Sequence, residues 1–218
     1  WQEGHCAHAT HGESHEMVLQ ALNWYKTVYM EYYAIPVITG IKSGSEKFAG
    51  ALSTYCVEAL MPDGKALQGA TSHDLGQNFA KAQDIHFQSK DGTVEYVWQN
   101  SWGFSTRTLG ALFLVHGDDN GIILPPKIAP TQVVIVPIAR DTDASTISSY
   151  AHHIQDVLKS SGIRVQVDIR EGQSAGRMFN HWEVKGVPIR IEIGHKEMEN
   201  QTVTLAIRDT QEKQTITA

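Results

Sequence analysis

Residues 123–138, ILPPKIAPTQVVIVPI, decide how this chain is read. Three prolines fall within six positions, and each fixes its φ and removes an amide donor, so no regular element runs through them. Directly behind them stands QVVIVPI, a short apolar run rich in β-branched residues. Its length and composition suit a strand buried on both faces. The stretch therefore reads as a joint between two units of different style, expected at residues 1–128 and 129–218.

Downstream of the joint the pattern is strand, helix over about 144–161, strand (RVQVDI), a Gly-Ser turn with a short helix, then strands PIRIEI and TVTLAI. Alternating strands and helices predict an α/β unit with a partly parallel, mixed sheet. The last residues, QTVTLAIRDTQEKQTIT, read as a hairpin.

Upstream, Thr10 followed three residues later by Glu13 fits a capping box. Val18, Leu22, Tyr25, Tyr29 and Tyr32 then recur at helical spacing, which predicts an amphipathic helix over roughly 12–33, ended before Pro36. Strand-like runs near 36–40, 50–60, 65–71 and 93–102, separated by turns at MPDG and KDGT, predict a mainly antiparallel sheet. Residues 106–116, TRTLGALFLVH, read as a helix apolar on most sides and hence buried. The fold class expected is α+β.

Composition narrows the function classes. With 41% hydrophobic and 19% charged residues the chain is of ordinary globular composition, and its net charge of -6 gives no global basic field for nucleic acid. No apolar run approaches the roughly 20 residues of a membrane helix, so no membrane partner is expected. Two cysteines, Cys6 and Cys56, do not make a disulfide framework, and a reducing, cytoplasmic setting is expected. The chain opens at Trp1 and closes inside a strand, so it reads as a piece of a longer protein.

Four stretches could carry chemistry. LQGATSHDLGQNFAK, residues 67–81, holds glycines, amides, hydroxyls and His73 in a run that suits neither helix nor strand. Turn chemistry explains the glycines, and the crowd of polar groups raises the alternative of a site floor. WQEGHCAHATHGESH crowds His5, Cys6, His8, His11 and His15, yet the spacing is not a paired zinc pattern and no second ligand cluster follows, so no metal site is assigned. Trp1, Glu3 and His5 alternate, so in a strand they share one face; packing of Trp1 is the plainer alternative. In NSWGFSTRTLG, Arg107 stands where a strand gives way to a helix, placed either to pair with a carboxylate or to hold a phosphate near free helix amides. HGDDNG, with Asp118 and Asp119, lacks the spacing of a calcium loop and reads as a solvated turn.

WQEGH, EKFAGA, LQGATSHDLGQNFAK, NSWGFSTRTLG, VHGDDNGIILPPKIAPTQVVIVPI and KGVPIRIEIG together resemble, in this order, the prolyl-tRNA synthetases of the eukaryotic/archaeal type, which are class II aminoacyl-tRNA synthetases. The resemblance covers essentially the whole chain, with WQEGH similar to the second half of motif 2 and STRTLG to motif 3. It implies the later part of an antiparallel-sheet catalytic domain followed by an α/β anticodon-binding domain. It also implies an ATP- and Mg²⁺-dependent ligase that joins proline to tRNA(Pro) and acts as a homodimer when full-length.

Carried over by resemblance, Trp1, Glu3, His5, Phe48, His73, Trp102, Gly103 and Ser105 would form the proline pocket. Gln68 and Thr71 would meet the adenosine half of ATP, and Arg107 its phosphate end or adenine. In the second domain Arg177 and Lys185 are the candidate anticodon contacts, with a solvated basic turn as the alternative. Because the first half of motif 2 is missing, weak or no activity is expected of these 218 residues alone. A non-catalytic paralogue or an RNA-binding module on the same fold is the alternative function.

Overall fold

The computed structural model describes residues 1–139 and 142–218. Its contacts divide the chain into two compact units, Trp1–Val115 and His116–Ala218.

In the first unit, β1 (Gln2–His8) leads to α1 (His11–Thr27), then β2 (Ile38–Ile41), β3 (Ser53–Leu60), β4 (Ala66–Gly76) and α2 (Asn78–Ala82). A small hairpin of β5 (His86–Gln88) and β6 (Val94–Tyr96) precedes β7 (Trp98–Phe104) and α3 (Arg107–His116). The sheet runs β1-β7-β4-β3-β2, antiparallel throughout. The expected antiparallel sheet is present, but residues 67–76 are no loop: they form most of β4, at eleven residues the central and longest strand of this sheet. Pairing on both sides outweighs the weak strand preference of its glycines and polar groups, because β propensity mostly reports the surroundings of a residue.

The capping box forms as expected: the Thr10 hydroxyl accepts from Glu13 N–H at 3.2 Å, and the Glu13 carboxylate accepts from Thr10 N–H at 3.1 Å. From there α1 buries Ser14, Val18, Ala21, Leu22 and Tyr25, a single stripe laid along β4 and β7. The helix then widens into a π-helical turn, Val28–Tyr32. Its extra residue per turn rotates the stripe, so Tyr29 stays buried while Tyr32, expected on the same face, is exposed.

Tyr29 finds its room at Gly69. Between Val57 and Glu58 the β3–β4 register slips, leaving Gly69 as the extra residue of a bulge. A Cβ there would stand 2.5 Å from the Tyr29 ring. The third helix departs from expectation: α3 buries Thr108, Ala111 and Leu112 only, and leaves Leu109, Phe113 and Leu114 more than half exposed. Apolar composition tells how many faces a helix can bury, not how many its neighbours cover.

In the second unit, a two-residue hairpin, β8 (Gly117–Asp118) and β9 (Gly121–Ile122), comes first. Then follow β10 (Val133–Pro137), α4 (Ala144–Ser160), β11 (Val165–Val167), α5 (Ala175–Val184), β12 (Ile189–Ile193), α6 (His195–Glu199), β13 (Thr202–Ile207) and β14 (Lys213–Thr217). The sheet order is β11-β10-β12-β13-β14, with β10 parallel to β11 and β12 and the rest antiparallel. This is the mixed sheet and closing hairpin expected from the pattern. Strand β10 is buried on both faces: Val133 and Ile135 meet Ile147, Ala151 and Ile154 of α4, while Val134 and Val136 meet Met178 of α5.

The HGDDNG turn is not simply solvated. Asp118 accepts from both ends of the Arg208 guanidinium, at 2.7 and 2.6 Å, and Arg208 is itself buried. A buried guanidinium needs a carboxylate to replace water, and sequence spacing of 90 residues hides the pair. Asp168 likewise accepts from Arg170 Nε at 2.9 Å, from Arg170 Nη2 at 2.6 Å and from Trp182 Nε1 at 2.7 Å.

Replacing Gly69 by alanine should force the Tyr29 ring aside and cost about 1–3 kcal/mol, the usual toll of overpacking; urea denaturation will read it as a lower midpoint. Hydrogen bonds from the paired arginines hold the carboxyls of Asp118 and Asp168 down at about 2. Unfolded Asp titrates near ~3.9, so these pairs stabilise the second unit above that pH and lose their contribution as pH falls toward the folded value. Its denaturation midpoint should therefore drop across that acid window, and Asp168→Asn should flatten part of the drop.

Candidate functional site

One cavity of about 630 Å³ opens on the first unit, and it is built by strand alternation. On β4, Thr71 and His73 face the cavity while Ser72 and Asp74 face α1, where the Ser72 hydroxyl donates to Val18 O at 2.8 Å. The bulge at Gly69 resets the alternation, so Gln68 joins the cavity side. On β1, Glu3 and His5 take the same face, opposite Gly103 and Ser101 of β7. Trp1 and Phe48 stand at the mouth, and Ser105 and Arg107 close the far end where α3 begins.

All eleven residues singled out in the first unit line this one cavity: Trp1, Glu3, His5, Phe48, Gln68, Thr71, His73, Trp102, Gly103, Ser105 and Arg107. Trp1 is not packed away, being 85% exposed. Trp102 lines the wall too, but its indole lies where a Gly4 Cβ would be, 2.2 Å off, and edge-on to Trp24 of α1 at 6.5 Å. What Trp102 offers the cavity is strand backbone, and its ring holds β1 to α1.

Thr54, unremarked in the sequence, organises the floor. Its hydroxyl accepts from Phe48 N–H at 2.9 Å and lies 2.9 Å from His73 Nδ1. That hydroxyl fixes the orientation of the imidazole through Nδ1. The His73 ring is stacked at a tilt on Phe48, centroids 4.9 Å apart. Burial lowers the His73 pKa, and the nearby Lys42 ammonium lowers it further, so this ring stays neutral near pH 7. Lys42 also hydrogen-bonds the Gln68 side chain. Ser101 lines the cavity beside His5, and Gln99, buried, holds His5 Nε2 at 3.3 Å. Thr54, Lys42, Gln99 and Ser101 have no sequence signal beyond their parity with marked neighbours.

Arg107 is the first residue of α3. The Ser105 hydroxyl accepts from its N–H at 3.3 Å, and its guanidinium donates to Gln68 O at 3.3 Å. Among the described residues no carboxylate pairs with it, so of the two readings open for Arg107 the ion pair is not made. A permanent cation beside a helix start and an apolar, half-polar cleft makes a place for an anion attached to a larger molecule.

The two candidates of the second unit are not brought together. Arg177 sits in the first turn of α5, where Ser174 caps its N–H, and Lys185 follows the last. Lys185 Nζ lies over the Trp182 ring at 5.0 Å, with Arg170 6.0 Å from the same ring. A second group, Arg190 at 4.2 Å and Lys213 at 5.4 Å, covers Phe179. Phe179, Trp182 and Lys185 share α5 and its end, whereas Arg170, Arg190 and Lys213 reach these rings from other segments, which residue order does not signal.

Known proteins match this arrangement. Residues 132–218 match the family model described as an anticodon binding domain. The chain is 54% identical over 213 residues to the proline–tRNA ligase of Chlorobium chlorochromatii, covering 98% of this chain and 44% of that protein. It is 51% identical over 216 residues to that of Chloroherpeton thalassium, covering 99% and 45%. A crystal structure of the Cryptosporidium parvum prolyl-tRNA synthetase, complexed with L-proline and AMP, superposes with a TM-score of 0.91 at 43% identity, covering all of this chain and 47% of that one. The chain thus spans a little under half the length of the relatives it matches. The resemblance drawn from the motifs, and the fold class it implied, are borne out.

Lys42→Ala should raise the His73 pKa part of the way toward its ordinary value, since it removes a like charge and leaves the burial. Histidine resonances followed by NMR against pH will show it.

Proposed function

We propose that this chain is part of a proline–tRNA ligase, with the later portion of a class II catalytic domain in residues 1–128 and the anticodon-binding domain in 129–218. The longer protein would work in two steps. A proline carboxylate oxygen attacks the α-phosphorus of ATP, giving prolyl-adenylate and pyrophosphate. The terminal ribose hydroxyl of tRNA(Pro) then attacks the prolyl carbonyl, and AMP leaves.

The observation that carries this reading is the gathering, around one cavity, of eleven residues drawn from four separate stretches to which the resemblance assigned a shared site. Each has a role suited to its chemistry. Phe48 and the neutral His73 ring give an apolar wall for the pyrrolidine ring, and Glu3 an acceptor for its secondary ammonium. Trp1 and His5 bound the same end, with Gly103, Trp102 and Ser105 as the strand edge that closes it. Gly103 lets β7 lie close against β1: a Cβ there would come within 3.2 Å of Gln2 O. Gln68 and Thr71 face the adenosine half, and Arg107 holds the phosphate end, where charge develops on the transferring oxygens.

Glu3 is the single carboxylate among the lining residues, and the substrate amine engages it. These residues therefore do not form a Mg²⁺ cage; the ion expected for the family would be carried on the phosphates of ATP. In the second domain, Trp182 and Phe179 with Lys185, Arg170, Arg190 and Lys213 present ring faces and cations to unstacked bases of an anticodon loop. Arg177 would meet the backbone beside them. Homodimerisation of the full-length protein and a cytoplasmic setting are part of the same proposal; no described helix is long and apolar enough to cross a membrane.

Proline-dependent ATP–pyrophosphate exchange by the full-length protein is the test, and exchange no faster with proline than with other amino acids sinks the reading. Arg107→Ala should raise the KM for ATP or lower kcat by about 10–100-fold, the worth of a hydrogen bond to a charged group. Unchanged kinetics remove Arg107 from the site.

A further inference from the structure

On the α1 side of β4, behind the cavity, lies a second cluster. His11 and His15 stand four residues apart in the first turns of α1, hence on one helix face. Both aim at Asp74: His11 Nε2 is 2.7 Å and His15 Nδ1 3.4 Å from the same oxygen, Oδ2. Asp74 is buried, with a side chain only 4% exposed, and its other oxygen is fixed by Gly76 N–H at 3.0 Å. His15 Nδ1 is buried and makes no hydrogen bond in spite of its approach. His11 is braced by the Trp98 ring at 4.7 Å, and His15 by the Tyr55 ring at 5.9 Å.

We infer that His11, His15 and Asp74 form a zinc site that pins the start of α1 to β4. The donor atoms all lie within 4.8 Å of one another. A tetrahedral ion with bonds of about 2.0–2.2 Å needs them roughly 3.3 Å apart. Opening the His11 contact and drawing in the farthest pair meets that, and His11, 46% exposed, has room to turn. Two imidazoles and one carboxylate are a zinc donor set with one position left over. The cleft lined by His11, His15, Glu16, Leu52, Ser53 and Asp74, about 530 Å³ and open to solvent, admits a water to that position. The Gly76 amide on the second Asp74 oxygen supplies the outer-shell hydrogen bond that orients a ligating carboxylate. The site is separate from the cavity above: Asp74 turns to α1 and its neighbour His73 to the cavity.

The probe is Zn²⁺ added to untagged, metal-stripped protein, read by calorimetry, with Co²⁺ as the spectroscopic substitute. Binding of one equivalent is expected, with visible Co²⁺ bands of a four-coordinate ion and a rise in melting temperature on adding Zn²⁺. His11→Ala and His15→Ala should each weaken binding at least about tenfold, the lower bound for disturbing even an outer-shell partner, and abolish the rise in melting temperature. His11 is exposed enough that His11→Ala will fold even where His15→Ala does not. No binding, or equal binding by His11→Ala, overturns the site. Titration of both histidines with no response to Zn²⁺ would leave a plain imidazole–carboxylate network and likewise overturn it.

Discussion

A strand presents successive side chains to opposite faces, and the first unit is organised by that rule at β4. One face has to fill against α1, the other has to stay open and polar. Ser72 and Asp74 satisfy the first demand, Thr71 and His73 the second, and a one-residue slip would exchange them. The bulge at Gly69, in the β3–β4 register, breaks the rule and serves both faces at once. It gives Tyr29 its berth and turns Gln68 toward the cavity.

The rest of the first unit follows from fixing β4. Helix α1 can lie flat only because its buried stripe meets the strand's inward side chains, and Asn100 of β7 completes the seam by donating to Ser14 O at 2.9 Å. Thr54 of β3 then spans the gap from Phe48 to His73 and fixes the ring's orientation. The walls of the site are mostly strand faces, with Phe48 brought in by the segment between β2 and β3, and cations stand at Lys42 and Arg107. The second unit solves a simpler problem. Its strand β10 is buried on both sides by helices, and its buried Arg208 and Asp168 are each met by a charged partner.

Much of this is legible in residue order. The capping box at Thr10 and Glu13 uses contacts three residues apart, and the helix stripe contacts three and four apart, so local spacing reports both. Strand β10 declares itself by composition. The cavity residues are marked by resemblance, not by spacing; the alternation of Trp1, Glu3 and His5 alone favours nothing. The polar run around His73 reads wrongly as loop because strand preference is weighed residue by residue, whereas pairing on both sides is decisive. Asp118 with Arg208, and Asp74 with His11 and His15, are separated by 90, 63 and 59 positions, and no periodicity connects residues so far apart.

The sequence by itself determined the helices α1 and α4, the doubly buried strand β10 and the family to which its motifs are similar, since each rests on neighbours along the chain. Tertiary structure alone decided which face each side chain of β4 takes, where Trp102 turns its ring, which carboxylates meet which cations, and that α3 keeps an apolar side uncovered. Those outcomes depend on register and packing between strands, where one added residue, Gly69, reverses the inside and outside of everything that follows.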